Sequence, residues 1–281
     1  MFKMALLSSA ALIIAGAACI SAAAERQETS IPNFMSAEFG WLLNTGINFQ
    51  PIEGRVAPVG ADPYPRGRDG TGPVIRERLS DAENPNLTPW AAAQAKSHND
   101  LVRNGRRAFQ AQSRCWPGGT PGQMLFVAEP VYFIQKPNEV WMIWQRNEQV
   151  RRIYPNREHS AEPKPSWFGE SVGRYDNGQL VIDTIGFVEH PLSFVDSYRT
   201  PHTKDLHVAE RWRIVDGGNT LEAAVSVEDP GAFKAPWSGL ARWQKVNRPW
   251  QESICAENNL NYERFFKLNE YPMPEAKTPD F

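Results

Sequence analysis

The chain has 281 residues, 41% of them apolar, and a formal net charge of −2 at pH 7. That is enough apolar material for a sizeable core, in one large domain or two small ones. The charge balance excludes broad electrostatic attraction to nucleic acid or an anionic lipid surface, while ten Trp, fourteen Phe and seven Tyr supply large rings for a core or a pocket.

The first residues, MFKMALLSSAALIIAGAACISAAAERQ, carry one early Lys3, a short apolar run and small residues before Glu25. This is the pattern of a cleaved export signal over residues 1–24. The apolar run is shorter than the roughly 20 residues of a membrane-spanning helix, and no later stretch is longer. The expected location is therefore periplasmic or secreted, with no transmembrane span. Cys19 would suit a lipid anchor only with an aliphatic residue three positions before it, and Gly16 stands there. Removal of the signal leaves Cys115 and Cys255, and two distant cysteines in an exported chain predict one disulfide.

Residues 25–85 read as an irregular arm rich in Pro and Gly, with a short helix expected over 35–43. The strongest helix pattern follows. Thr88 can cap it, Pro89 suits its first turn, residues 91–95 favour it, and Gly105 marks its end. From Val131 onward the pattern turns to short strands. VYFIQKP, EVWMIWQR and QVRRIYP come first. A hairpin turns at Asn177-Gly178, a second closes through residues 216–219, and a third joins LARWQKVN to WQESICAEN. About nine strands with almost no helix between them predict an all-β core: an antiparallel, lipocalin-like barrel or a sandwich. The domain is placed at 86–268, with an exposed tail over 269–281.

Alternation along 206–214 puts Leu206, Val208, Glu210, Trp212 and Ile214 on one strand face, and His207, Ala209, Arg211 and Arg213 on the other. Glu210 thus sits among apolar side chains. In the preceding hairpin Asp183 shares a face with Val181 and Ile185, while Leu180, Ile182 and Thr184 share the opposite one. Both faces are apolar, so the inward side stays open. Arg152 goes with Val150 and Tyr154, and Arg151 with Ile153. Asp183, Glu210 and one of these arginines are expected to meet inside the sheet.

A buried lone carboxylate is expensive, so it must be paired or protonated. One outcome is an Arg–carboxylate network that fixes the register of the barrel. The other is acid/base chemistry in an aromatic-lined cavity. In that case Glu210 and Asp183 act as acid and base, and His202 and His207 shuttle protons or bond the substrate. Arg152 or Arg211 stabilises negative charge. Trp144, Trp167, Tyr175 and Trp212 contact the ligand. The expected partner is a small apolar or aromatic molecule, and the expected reaction is a dehydration, isomerisation or cyclisation needing no cofactor.

Two alternatives stand beside this one. The first is a non-catalytic small-molecule carrier of the same fold. The second is a metal-dependent hydrolase using His190, His202 and His207, whose spacing matches no helix-borne zinc signature. Gly169-Glu170-Ser171-Val172-Gly173 spells a nucleophile elbow, but Asn177-Gly178 follows at once and leaves no room for the helix that motif requires. His159 lies in a polar loop and faces a cavity mouth or solvent.

The blocks RCWPGG, QVRRIY, WFGESVGRYDNGQLVIDTIGF, HTKDLHVAERW and EDPGAFKAPW, in that order, resemble a large, mostly uncharacterised group of secreted bacterial proteins. Those share W-x-G-x-S-x-G-R-W-E-G-D-T-L-V-V-D-T, then P-H-S-x-x-L-H-V-x-E-R-F, then D-P-x-x-Y-x-x-P-W. The resemblance covers roughly residues 86–265. Tyr175 stands where that pattern has Trp, and Asn177-Gly178-Gln179 where it has Gly-Asp-Thr. It implies export and a β-rich core, and no particular reaction.

Overall fold

Alternating apolar and polar side chains between tight turns become ten strands and one helix in the computed structural model, which describes residues 31–35, 38–66 and 78–257. The expected export signal, and the tail over 269–281, lie outside these residues. The strands are β1 (Gly40–Leu43), β2 (Gln50–Pro51), β3 (Val131–Lys136), β4 (Glu139–Trp144), β5 (Gln149–Pro155), β6 (Glu170–Asp176), β7 (Gln179–Ile185), β8 (His207–Val215), β9 (Thr220–Glu228) and β10 (Trp237–Val246). Nine of them close into a barrel, because β1 pairs with β3 on one side and β10 on the other; β2 extends β10 outside the ring. Closure leaves no edge among the long strands.

Helix α1 (Pro89–Arg103) forms where its signals place it. The Thr88 hydroxyl accepts the Ala91 amide, Pro89 occupies the first turn, and Gly105 follows with φ +88°. The hairpins at Asn177-Gly178 and residues 216–219 also form. Asn177 and Gly178 both take positive φ, as a two-residue turn matching strand twist requires.

Three expectations are corrected. Residues 40–43 are a strand and not part of a helix: Trp41 and Leu43 are buried with Leu42 less so, a period of two, and the barrel needs this segment to close. The arm over 25–85 therefore contributes to the barrel. WQESICAEN forms no strand over its described residues, and β10 pairs back on β9 and with β1. Finally, β5 and β6 run parallel, so the barrel is mixed. A parallel pair cannot be joined by a tight turn. Residues 156–169 make the longer return outside the barrel, and they carry His159 with them.

The interior is packed with rings. Trp212 stacks on Trp243 at 4.8 Å, Phe133 meets Trp212 edge-on, and Trp41 is fully buried. Trp144 is buried against Phe168, with its plane 6° from parallel. Trp212 and Trp144 are thus core residues, not cavity lining.

Candidate acid/base site on the outer wall

The register decides which carboxylate faces in. Ile182 pairs with Glu210, and Asp183 with Ala209. Leu180, Ile182 and Thr184 point into the barrel with Glu210, so Asp183 points out.

Inside, Arg151 and Glu210 meet, but without Asp183, the third group expected there. Arg151 Nη1 donates to Glu210 Oε1 and Oε2 at 3.0 and 2.9 Å, its Nε donates to Ser171 Oγ at 3.0 Å, and its Nη2 to Thr184 Oγ1 at 2.8 Å. Trp212 Nε1 donates to Glu210 Oε2 at 3.0 Å. The Glu210 side chain has no exposed surface, so nothing from solvent reaches it. Every polar atom of this network has a partner, the condition under which a buried ion pair is tolerable. Ser171 sits mid-strand as part of it, not on an elbow.

Other assigned residues lie elsewhere. Arg152 is outside, 5.0 Å over the Trp141 ring, because the neighbouring Arg151 takes the inward position. Arg211 is also outside, 3.5 Å from Asp176. The Tyr175 hydroxyl accepts Gln135 Nε2 at 3.1 Å. Trp167 packs against Trp116 and His190. His202 is buried between Ser193 Oγ and the Thr203 carbonyl, and burial pushes its imidazole below the ordinary value. His190 Nδ1 accepts the Leu192 amide. His190, His202 and His207 therefore do not converge, and among the described residues no group of three His, Cys, Asp or Glu is arranged to hold a metal.

Asp183 and His207 do come together, on the outer wall. His207 Nε2 lies 2.6 Å from Asp183 Oδ1, and His159 Nε2 lies 3.0 Å from Asp183 Oδ2. One carboxylate thus holds two imidazoles. Each imidazole has a second carboxylate behind it: Glu170 Oε1 is 3.1 Å from His159 Nδ1, and Glu228 Oε2 is 3.9 Å from His207 Nδ1. Ser160 steadies Glu170 through its amide and hydroxyl. The side chains of His207 and Asp183 keep 38% and 43% of their surface exposed, against none for Glu210, so only the outer group can touch a ligand.

The electrostatics follow from these contacts. The hydrogen bond from His207, with a second from His159, holds the Asp183 carboxyl below the usual carboxylate range. The same bond holds His207 protonated above the ordinary imidazole value, against a lesser opposing effect of burial. The Ser160 hydroxyl chiefly, with His159, lowers Glu170. His159 is the residue sequence analysis placed but gave no role. Its distance in sequence from His207 hid it, and only the parallel β5–β6 junction lays its loop across Asp183.

Beside this cluster the outer faces of β6–β10 form a groove of about 550 Å³. Its floor is small and apolar: Val181, Ala209, Ala224, with Ser226 and Ser238. Arg174, Arg211 and Arg55 border it, and Asp183 stands at its wall. A larger hollow of about 730 Å³ flanks α1, and in it Arg103 pairs with Asp62 and Lys96 with Asp100. Comparison with protein-family models, curated proteins and solved structures gives no match for this chain.

Proposed function

We propose that the protein is an acid/base catalyst, of the lyase or isomerase kind, acting on a small molecule in the outer groove rather than inside the barrel. The observation that carries this is the 2.6 Å contact between His207 Nε2 and Asp183 Oδ1, with Asp183 at the wall of that groove. A carboxylate on one ring nitrogen fixes the tautomer and orientation of an imidazole, and leaves the other nitrogen to exchange a proton. Here that nitrogen is Nδ1 of His207, and Glu228 Oε2 stands 3.9 Å from it.

His207 takes a proton from the substrate and returns it at a second position. Asp183 stabilises the imidazolium formed in between, and His159 keeps Asp183 in place. The apolar floor suits a flat hydrocarbon or aromatic body, and the guanidinium groups of Arg174 and Arg211 suit an anionic substituent or the negative charge that proton removal creates. Export fits the same picture, since the chain carries a disulfide between Cys115 and Cys255.

The test is a screen of small aromatic and unsaturated carboxylates for protein-dependent uptake of solvent deuterium, read by mass spectrometry. Wild-type protein should label a bound compound, and His207→Gln should abolish labelling while affinity changes by less than about tenfold. Ligands that bind the wild-type protein in the groove and are never labelled or converted would make the protein a carrier.

A further inference from the structure

Strand register arranges the outward side chains of β6–β10 as a grid. One row carries Arg174, Val181, Arg211 and Ala224. The next carries Asp183, Ala209 and Ser226, with Ser238 of β10 beside Ser226. These two rows line the outer groove. The third row carries His207 and Glu228, and from it His207 reaches back to Asp183.

Positive charge collects at the end away from His207. The guanidinium groups of Arg174 and Arg55 are exposed at the groove, and neither has an ion pair or hydrogen bond among the described residues. Arg211 has only Asp176, at 3.5 Å. The middle of the grid holds a pair of hydroxyls. Ser238 Oγ donates to Ser226 Oγ at 3.4 Å, which uses one of the pair's two protons and leaves the Ser226 proton for a ligand. Both serines are half-buried on the groove floor.

Ser226 is diagonal to both His207 and Arg211 across the β8–β9 pair, roughly 7–8 Å from each. His207 and Arg211 are four residues apart along β8, about 13 Å. His207 turns Nε2 to Asp183 of β7 and presents Nδ1 towards Glu228 of β9, the strand that carries Ser226. Base nitrogen, hydroxyl and guanidinium groups therefore follow one another along the groove.

Resting on the acid/base role of His207, we infer that the substrate is a keto acid whose ketone stands between a remote carboxylate and the reacting C–H. The carboxylate meets Arg174 and Arg211, whose forks match its oxygens. The spacer lies over Val181, Ala209 and Ala224, and the ketone oxygen accepts from Ser226. His207 Nδ1 takes a proton from the carbon beside the ketone. The electron pair of that C–H bond moves into the carbonyl, and its oxygen bears the negative charge against the Ser226 hydroxyl. Return of the proton to the same carbon exchanges it; return to a conjugated carbon shifts a double bond. A 2-oxo acid, whose ketone adjoins its carboxylate, does not span these groups.

The experiment measures protein-dependent uptake of solvent deuterium into pyruvate, levulinate, 6-oxoheptanoate and neutral 2-hexanone at mildly alkaline pH, by mass spectrometry. Levulinate or 6-oxoheptanoate should exchange with kcat/KM at least tenfold above pyruvate and 2-hexanone. Arg174→Gln should raise KM for that acid about tenfold and leave 2-hexanone unchanged. Ser226→Ala should lower kcat at least tenfold for every ketone, with KM within about threefold. Neither side chain belongs to the core, so both variants should melt as wild type does. Equal exchange of 2-hexanone and the keto acids, or either variant exchanging as wild type does, overturns the keto-acid assignment and leaves His207 as a base. Exchange of no ketone overturns it as well, and the wider screen of unsaturated carboxylates then decides separately whether His207 is a base at all.

Discussion

Arg151 on β5 and Glu210 on β8 join across the interior of the barrel, with Nη1 of the arginine 3.0 and 2.9 Å from the two carboxylate oxygens. These strands are not neighbours; β6 and β7 lie between them. The pair therefore ties two walls together, and Ser171 of β6 and Thr184 of β7 complete the belt. Removal of one partner strands a buried charge, so Glu210→Leu or Arg151→Met should each cost about 3–5 kcal/mol in chemical denaturation. The double variant should be more stable than either single one. If Glu210→Leu alone were harmless, the belt would not be holding the barrel.

Asp183 and His207 predict a pH profile of definite sign. The folded His207 value is raised, so its contribution to stability is complete below the unfolded value of 6.5 and lost as pH rises through the folded value. The folded Asp183 value is lowered, so its contribution is present above 3.8 and lost as pH falls through the folded value. Both are satisfied together between those limits. Proton abstraction needs neutral His207, so turnover should rise with pH, with an inflection above the ordinary imidazole value. Asp183→Asn should bring that inflection back towards 6.5 and lower kcat more than it raises KM. An unshifted inflection in this variant would remove Asp183 from the chemistry.

The sequence made some of this visible and hid the rest for identifiable reasons. Alternation over 206–214 put Glu210 on the apolar side because Ala209, Arg211 and Arg213 oppose it unambiguously. Over 180–185 both faces are apolar, since Val181 and Ile185 share the outward face with Asp183 while Leu180 and Ile182 face in, and so the direction of Asp183 stayed open. Only pairing with β8 settles it: once Glu210 faces in, Ile182 must face in with it. His159 had no local signal at all, because a parallel junction cannot be read from turn residues. The strand at 40–43 is four residues long, too short for periodicity to separate from helix.

Acid stability should reflect two buried groups that oppose each other. Burial raises Asp196 to about 6 from 3.8, against the hydrogen bonds from Thr200 that lower it. Its contribution is present below 3.8 and lost as pH rises through 6. Burial lowers His98 to about 4 from 6.5, so the unfolded chain binds a proton there first and stability falls as pH drops from 6.5 to 4. Each shift corresponds to roughly 3 kcal/mol, and between pH 4 and 6 they largely cancel. Asp196→Asn should therefore make the loss of stability below pH 6 visibly steeper in urea melts, whereas His98→Gln should make it shallower. Identical slopes in the two variants would contradict both assignments.

Residues 247–257 follow β10 without forming a strand, yet they are held to the barrel at several points. Cys255 joins Cys115 across 140 residues, the Asn147 amide donates to the Ser253 carbonyl at 2.9 Å, and the Tyr132 hydroxyl lies 3.2 and 3.3 Å from the carbonyl oxygens of Arg248 and Pro249, within reach of its one proton. Cys115 itself takes a left-handed backbone, φ +62°. Closing so long a loop stabilises the folded state by about 4–5 kcal/mol in the chain-entropy model. Protein prepared without reductant should show no free thiol at these positions after denaturation. Reduction, or Cys115→Ser with Cys255→Ser, should lower the melting temperature and open residues 247–257 to limited proteolysis before the barrel strands are cut. Two free thiols in protein recovered from an oxidising compartment would break this link between the C-terminal segment and the fold.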